Sequence, residues 1–237
     1  MISDHLMTTG GMIKTIFPIW TLFVLLPGSK ANGQNNSTAD SLKARQIIPN
    51  NKEDNKFDTT EINCDTVYKG KGYKITITKF FDSDSYDEND FNALFVFCKL
   101  RNGKYEEIYK DSILSQYEGI RFEDFNNDSI KDILIENISD VRSNLTYYLY
   151  LVDTKHDKLK KIKGFEEIKN PNFLPQYNLI DNYVMSGTIW TSFYKIKGDK
   201  IKDFNIVIYD DQKDNGKYER DYKKAIKSIL AKEKNGR

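Results

Sequence analysis

Asp124, Asn126, Asp128 and Asp132 set side-chain oxygens at relative positions 1, 3, 5 and 9 of one short segment, Asp124-Phe-Asn-Asn-Asp-Ser-Ile-Lys-Asp132. A hard cation such as calcium takes about six to eight oxygen ligands at roughly 2.3–2.6 Å. These four side chains, with the carbonyl of Ile130, supply most of that shell from a single turn. The same residue types also close turns through side-chain-to-backbone hydrogen bonds with no metal present. Three carboxylates confined to one turn repel each other unless a cation neutralises them, and on that ground the spacing predicts calcium. Position six is Ser129, where calcium loops usually carry Gly for a sharp bend, and a left-handed backbone costs a non-Gly residue about 1 kcal/mol or more. Position twelve is Ile135 rather than Glu, so the segment is not an EF-hand.

The elements around this segment read as strands. Ile120 and Phe122 alternate with Arg121 and Glu123 before it, and Asp132-Ile-Leu-Ile135 follows. Tyr73, Ile75 and Ile77 face one side and Lys74, Thr76 and Thr78 the other. Asn92 to Leu100 reads as a strand that turns through Arg101-Asn-Gly-Lys104 into Tyr105–Tyr109, Asn-Gly being the strongest short hairpin signal. Tyr147–Val152, Leu159–Ile168, Met185–Ile196 and Phe204–Tyr209 continue the series. At the C-terminus Tyr222, Ala225, Ile226, Ile229 and Leu230 recur at helical spacing with Lys and Glu between them. The expected fold is all-β, an antiparallel hairpin meander with propeller-like blades, closed by an amphipathic C-terminal helix.

The N-terminal third indicates a compartment. Lys14 precedes an apolar run, Ile16 to Leu26, of only eleven residues, and Ala31-Asn-Gly33 follows. That run is short of the roughly twenty residues needed to span a bilayer, and the pattern is that of a secretory signal peptide over residues 1–33. Residues 34–60 are polar and poor in large apolar side chains, and read as a flexible tether. Residues 61–215 form the expected β-rich domain and 216–237 the helix. The expected location is the periplasm or cell exterior. There Cys64 and Cys98 have two readings, a disulfide or a buried free thiol in the run Leu94–Leu100.

Charge and residue inventory narrow the function. The 36 basic and 35 acidic residues are interspersed, leaving a net charge of +1 and no basic stripe for nucleic acid. After signal cleavage one histidine remains, His156, in a polar turn that does not suit a Ser-His-Asp triad. One His and two distant Cys do not make a zinc site, and no Gly-rich phosphate loop is present. A pair of glycosidase carboxylates would leave no motif. The inventory points to a binding protein rather than an enzyme. Two further acidic loops, Asp82–Asp90 and Asp210–Gly216, are irregularly spaced and read as solvated connections.

Gly119-Ile-Arg-Phe-Glu-Asp124-Phe-Asn-Asn-Asp128-Ser-Ile-Lys-Asp132-Ile-Leu-Ile135 resembles the calcium-loop hairpin of FG-GAP repeats in integrin-type propellers. The order that follows is Tyr147-Tyr-Leu-Tyr150, Phe165-Glu-Glu-Ile168, Asn170-Pro171, Asn178-Leu-Ile180, Ser186-Gly187 and Tyr194-Lys-Ile196. Over residues 115–205 it resembles exported bacterial proteins related to periplasmic lysozyme inhibitors, some of which act as immunity proteins against peptidoglycan-cleaving effectors. The resemblance implies a propeller-like β fold and calcium on Asp124, Asn126, Asp128 and Asp132. It also implies a protein partner, a lysozyme-like peptidoglycan hydrolase, with Ser186, Gly187 and Thr188 on the inhibitory surface. A small hydroxyl beside a Gly can reach catalytic carboxylates in a narrow cleft. The other reading of Ser186-Gly187 is a turn or bulge between Tyr183 and Trp190. The alternative function is a surface module for glycans or adhesion, which Tyr-rich strands would also suit.

Overall fold

The computed structural model describes residues 57–80, 91–116, 119–213 and 215–235. The expected signal peptide, residues 34–56 of the expected tether and the acidic loop Asp82–Asp90 lie outside the described residues. The chain builds three four-stranded antiparallel sheets in succession, each a meander of consecutive strands. The first holds β1 (Phe57–Asn63), β2 (Tyr73–Phe80), β3 (Ala93–Arg101) and β4 (Lys104–Ile113). The second holds β5 (Ile120–Glu123), β6 (Asp132–Ser139), β7 (Leu145–Asp153) and β8 (Lys158–Lys161). The third holds β9 (Pro171–Leu174), β10 (Leu179–Asn182), β11 (Ile189–Lys197) and β12 (Lys200–Asp210), and α1 (Lys217–Asn235) follows. β1 starts inside the stretch read as tether, so residues 57–60 belong to the first sheet.

Burial shows how these layers meet. In β2, Tyr73, Ile75 and Ile77 are buried while Lys74, Thr76 and Thr78 are not, the alternation of a sheet covered on one face. Ile75, Phe95, Phe97 and Ile113 of the first sheet share a core with Ile133, Ile135 and Tyr150 of the second. The other face of the second sheet, through Leu134 and Leu149, joins Phe125, Ile162 and Phe165 in a core with Ile180, Phe173 and Ile196 of the third. β6 and β7 are therefore covered on both faces, which explains their unbroken apolar runs. Leu179, Phe193 and Ile208 of the third sheet pack under Ala225, Ile226 and Ile229 of α1, the apolar stripe read from the sequence.

One expected turn forms as read, and several strand boundaries differ. The Asn102-Gly103 turn has positive φ at both residues, 50° and 77°, as a two-residue hairpin of this type requires. The strand expected over Leu159–Ile168 stops at Lys161, because Gly164 turns left-handed (φ 81°) into a single 3-10 turn, Phe165–Glu167. The strand expected from Met185 starts only at Ile189, and residues 185–188 are loop. β9 and β10, four residues each, had no separate reading; Pro171 is tolerated because it opens its strand. Cys64 and Cys98 are both free. Cys64 lies in the core between the first two sheets, whereas Cys98 alternates with buried Phe95 and Phe97 on β3 and so occupies the opposite face. Burial pushes the Cys64 thiol up to about 12.

Candidate functional site

Asp124 follows the last residue of β5 and Asp132 is the first residue of β6, with Glu123 and Asp132 paired in register. The turn between them winds around the Asp124 carboxylate. Its Oδ1 accepts the backbone N–H groups of Asn126 (3.2 Å), Asn127 (2.6 Å) and Asp128 (3.3 Å), and Oδ2 accepts that of Ser129 (2.8 Å). So tight a coil needs left-handed residues, and Asn127 (φ 62°) and Ser129 (φ 69°) provide them. Ser129 thus adopts the bend at position six that Gly usually makes.

Asp132 plays a different part. It is fully buried, and its oxygens accept the N–H of Phe125 (2.9 Å) and of Val152 on β7 (3.1 Å). Burial pushes its carboxyl up to about 7; the two backbone hydrogen bonds oppose that shift and the charges of Asp128 and Asp124 add to it. The side chain ties the turn to two strands at once. Tyr68, from the β1–β2 connection, adds a bond from its hydroxyl to the Lys131 carbonyl (2.8 Å).

Asn126 and Asp128 lie on the exposed side of the turn. Asn126 donates through Nδ2 to Asp128 Oδ2 (2.8 Å), Asp128 N donates to Asn126 Oδ1 (3.0 Å), and Ile130 N donates to Asp128 Oδ1 (2.8 Å). A cleft of about 360 Å³ opens beside them, bounded by Ile130, Leu151–Asp153 and Lys158–Lys160. The donor set matches a hard cation: three carboxylates, one amide and the Ile130 carbonyl. In this arrangement Asn126 turns its N–H group rather than its oxygen toward Asp128, and the Asp124 and Asp132 oxygens accept backbone N–H groups. Among the described residues no three His, Cys, Asp or Glu side chains converge as a metal cluster. The turn bonds expected of Asp and Asn without metal are all made here.

Ser186, Gly187 and Thr188 lie elsewhere, in the exposed loop between Val184 and Trp190, which form an isolated antiparallel bridge. Ser186 Oγ donates to the Thr188 carbonyl, closing the loop locally. A Cβ built on Gly187 meets only Arg142 Nη1, at 3.8 Å, and its φ is not left-handed, so the backbone does not require glycine there. The preceding residue is anchored from the second sheet. Asn144, buried in the β6–β7 connection, donates through Nδ2 to the Met185 carbonyl (2.7 Å) and accepts the Met185 N–H at Oδ1 (2.9 Å). The β5–β6 turn and the β6–β7 connection sit at opposite ends of β6. The two sets of predicted site residues are therefore not one site.

Asn144 and its neighbours had no reading in the sequence. The signal available there is Asp140 and Asn144 four apart, bracketing Val-Arg-Ser. His156 and the aspartates of the Asp210 loop behave as ordinary turn formers. His156 sits in the exposed β7–β8 turn with Nδ1 2.6 Å from Asp153 Oδ2. In the loop from Asp210, the first two aspartates accept the N–H groups of Gln212 (2.8 Å) and Lys213 (3.1 Å). Among the described residues no helix is long and apolar enough to cross a membrane. No family model and no curated protein matches the chain.

Proposed function

We propose that this chain is an exported, calcium-binding β protein that binds and inhibits a lysozyme-like peptidoglycan hydrolase. Asp124, Asn126, Asp128 and Asp132, with the Ile130 carbonyl, would hold the calcium. The ion's contribution is structural: it neutralises the turn and adds its binding free energy to folding. The observation that carries the reading is the Asp124–Asp132 turn. Asp128 is exposed on a cleft, Asp124 is half-buried within the turn, and Asp132 is buried where their charge raises its cost of ionisation. The three successive four-stranded meanders support a propeller-like arrangement in which each sheet acts as a blade. Ser186, Gly187 and Thr188 would belong to the surface that meets the hydrolase, and their exposure suits that role.

The reading is tested by clearing of peptidoglycan suspensions by a panel of purified lysozymes, with the chain added in calcium. Saturable, near-stoichiometric inhibition of at least one enzyme is expected. Absence of inhibition across the panel, with the chain verified as folded, would overturn it.

A further inference from the structure

We propose that the lysine face of the β11–β12 hairpin, extended by Lys163, docks the protein on the phosphate headgroups of an anionic lipid bilayer. The inference goes beyond the inhibitor reading and does not depend on it.

Register is the first observation. Lys195 lies opposite Lys202, and Lys197 opposite Lys200, across β11 and β12. Residues paired across strands point to the same side of a sheet, so these four lysines share one face. Ile196 and Ile201, between them, turn the other way into the core shared with the second sheet. Just beyond β8, Lys163 sits beside Lys200 in a parallel bridge, while its neighbour Ile162 enters that same core. Lys163, Lys200 and Lys197 therefore form a row across three adjacent segments, with Lys202 and Lys195 in the row behind.

Charge balance is the second. Like charges directly opposite one another in a sheet destabilise it. Glu233 of α1 pairs with Lys195, Lys197 and Lys202, and Asp199 pairs with Lys163 at 3.3 Å. Lys200 is exposed and forms no ion pair among the described residues. Lys232 and Lys234, exposed in the last turn of α1, add two cations on either side of Glu233. Fastening α1 needs only Lys195 and Lys202 on Glu233, which leaves Lys163, Lys197 and Lys200 in excess. The side chains of Lys163 and Lys197 are 68% and 53% exposed against 16% for Lys195, so the excess charge is the part open to solvent.

Side-chain chemistry is the third. A lysine ammonium is a compact, hydrated point charge that demands no fixed fork geometry, unlike the arginine guanidinium. A row of such charges suits a plane of laterally mobile phosphates, where each lysine adds to the attraction. Nucleic acid strands are held by aromatic stacking as well as by charge. The neighbouring ring on β12, Phe204, is capped by Lys202 Nζ at 4.6 Å and packs toward α1, so it offers no free face to a base.

The test is co-sedimentation of the full chain with vesicles of phosphatidylcholine, alone or mixed with phosphatidylglycerol. It compares wild type, the double variant Lys197→Gln/Lys200→Gln, and a control double variant on the first sheet, Lys104→Gln/Lys110→Gln. The N-terminal apolar run is common to all three, so the readout is the ratio of partitioning between the two vesicle types. Lys195 and Lys202 stay intact because they hold α1, and thermal melts verify that all three proteins fold alike. Wild type and control should prefer the phosphatidylglycerol vesicles, with the preference at least tenfold smaller in Lys197→Gln/Lys200→Gln and removed by raised salt. Equal partitioning of wild type into both vesicle types, or a preference that the double variant shares, would overturn the proposal. Tighter binding of wild type to duplex DNA than to the anionic vesicles would overturn it as well.

Discussion

Two carboxylates of the same turn do different work. Asp132 is a structural acceptor: fully buried, it accepts the N–H groups of Phe125 and Val152. Leaving a buried donor unpaired costs about 1–3 kcal/mol. Asp132→Ala should therefore lower unfolding free energy by about 2–4 kcal/mol in urea titrations in chelator, and by more in calcium, where a ligand is lost as well. A loss below about 0.5 kcal/mol would contradict the assigned role. Asp128 differs: it is exposed, and its oxygens serve the turn locally through Asn126 and Ile130. Its loss should be felt mainly when calcium is present. The inner part of the turn was legible in the sequence, because the bonds made by Asp124, Asn126 and Asp128 each span two to five residues. The Asn144 anchor was not, because Met185 and Asn170 lie 41 and 26 residues away and only the fold brings them near.

At the scale of elements, α1 is fastened to the third sheet by its apolar stripe and by one carboxylate. Glu233 pairs with Lys195 (3.1 Å) and Lys202 (2.5 Å) on β11 and β12, and with Lys197 at 3.5 Å. Bonds from Lys202 and Lys195 hold its carboxyl down to about 2 from an ordinary 4.5. An acid whose folded pKa is depressed stabilises the fold above its unfolded pKa and loses that contribution as pH falls toward the folded one. Glu233→Gln should therefore destabilise the chain by about 1–2 kcal/mol near pH 7, once solvent screening is allowed for. The difference from wild type should shrink between pH 4.5 and 2. Thermal melts across that range check it, and a difference independent of pH would contradict the pairing. Elements were readable where one face stayed partly wet, as in β2 and β3, since alternation then survives. β9 and β10 escaped because four residues bearing Pro, Asn and Asp give too little pattern, and β8 was overextended because apolar Ile162, Phe165 and Ile168 continue past its end for a different core.

For the whole molecule, three sheets stack through two internal cores and α1 closes a third. The β-rich architecture was legible from turn spacing, whereas the order of layers was not, because it depends on which face of each sheet meets the next. The stacking gives β6 two distinct ends, a turn of acidic residues at one and the hydrogen-bonded Asn144 connection at the other. The second sheet lies between its neighbours, so a cation that holds the β5–β6 turn would steady both adjoining cores. The central claim, that the Asp124–Asp132 turn holds calcium, is tested most directly by calorimetric titration of calcium into the folded chain and into Asp128→Ala. The account predicts one saturable site in wild type, absent in the variant, with a melting temperature that rises in calcium for wild type alone. No binding heat and no calcium-dependent shift in wild type, or an equal shift in both proteins, would contradict it.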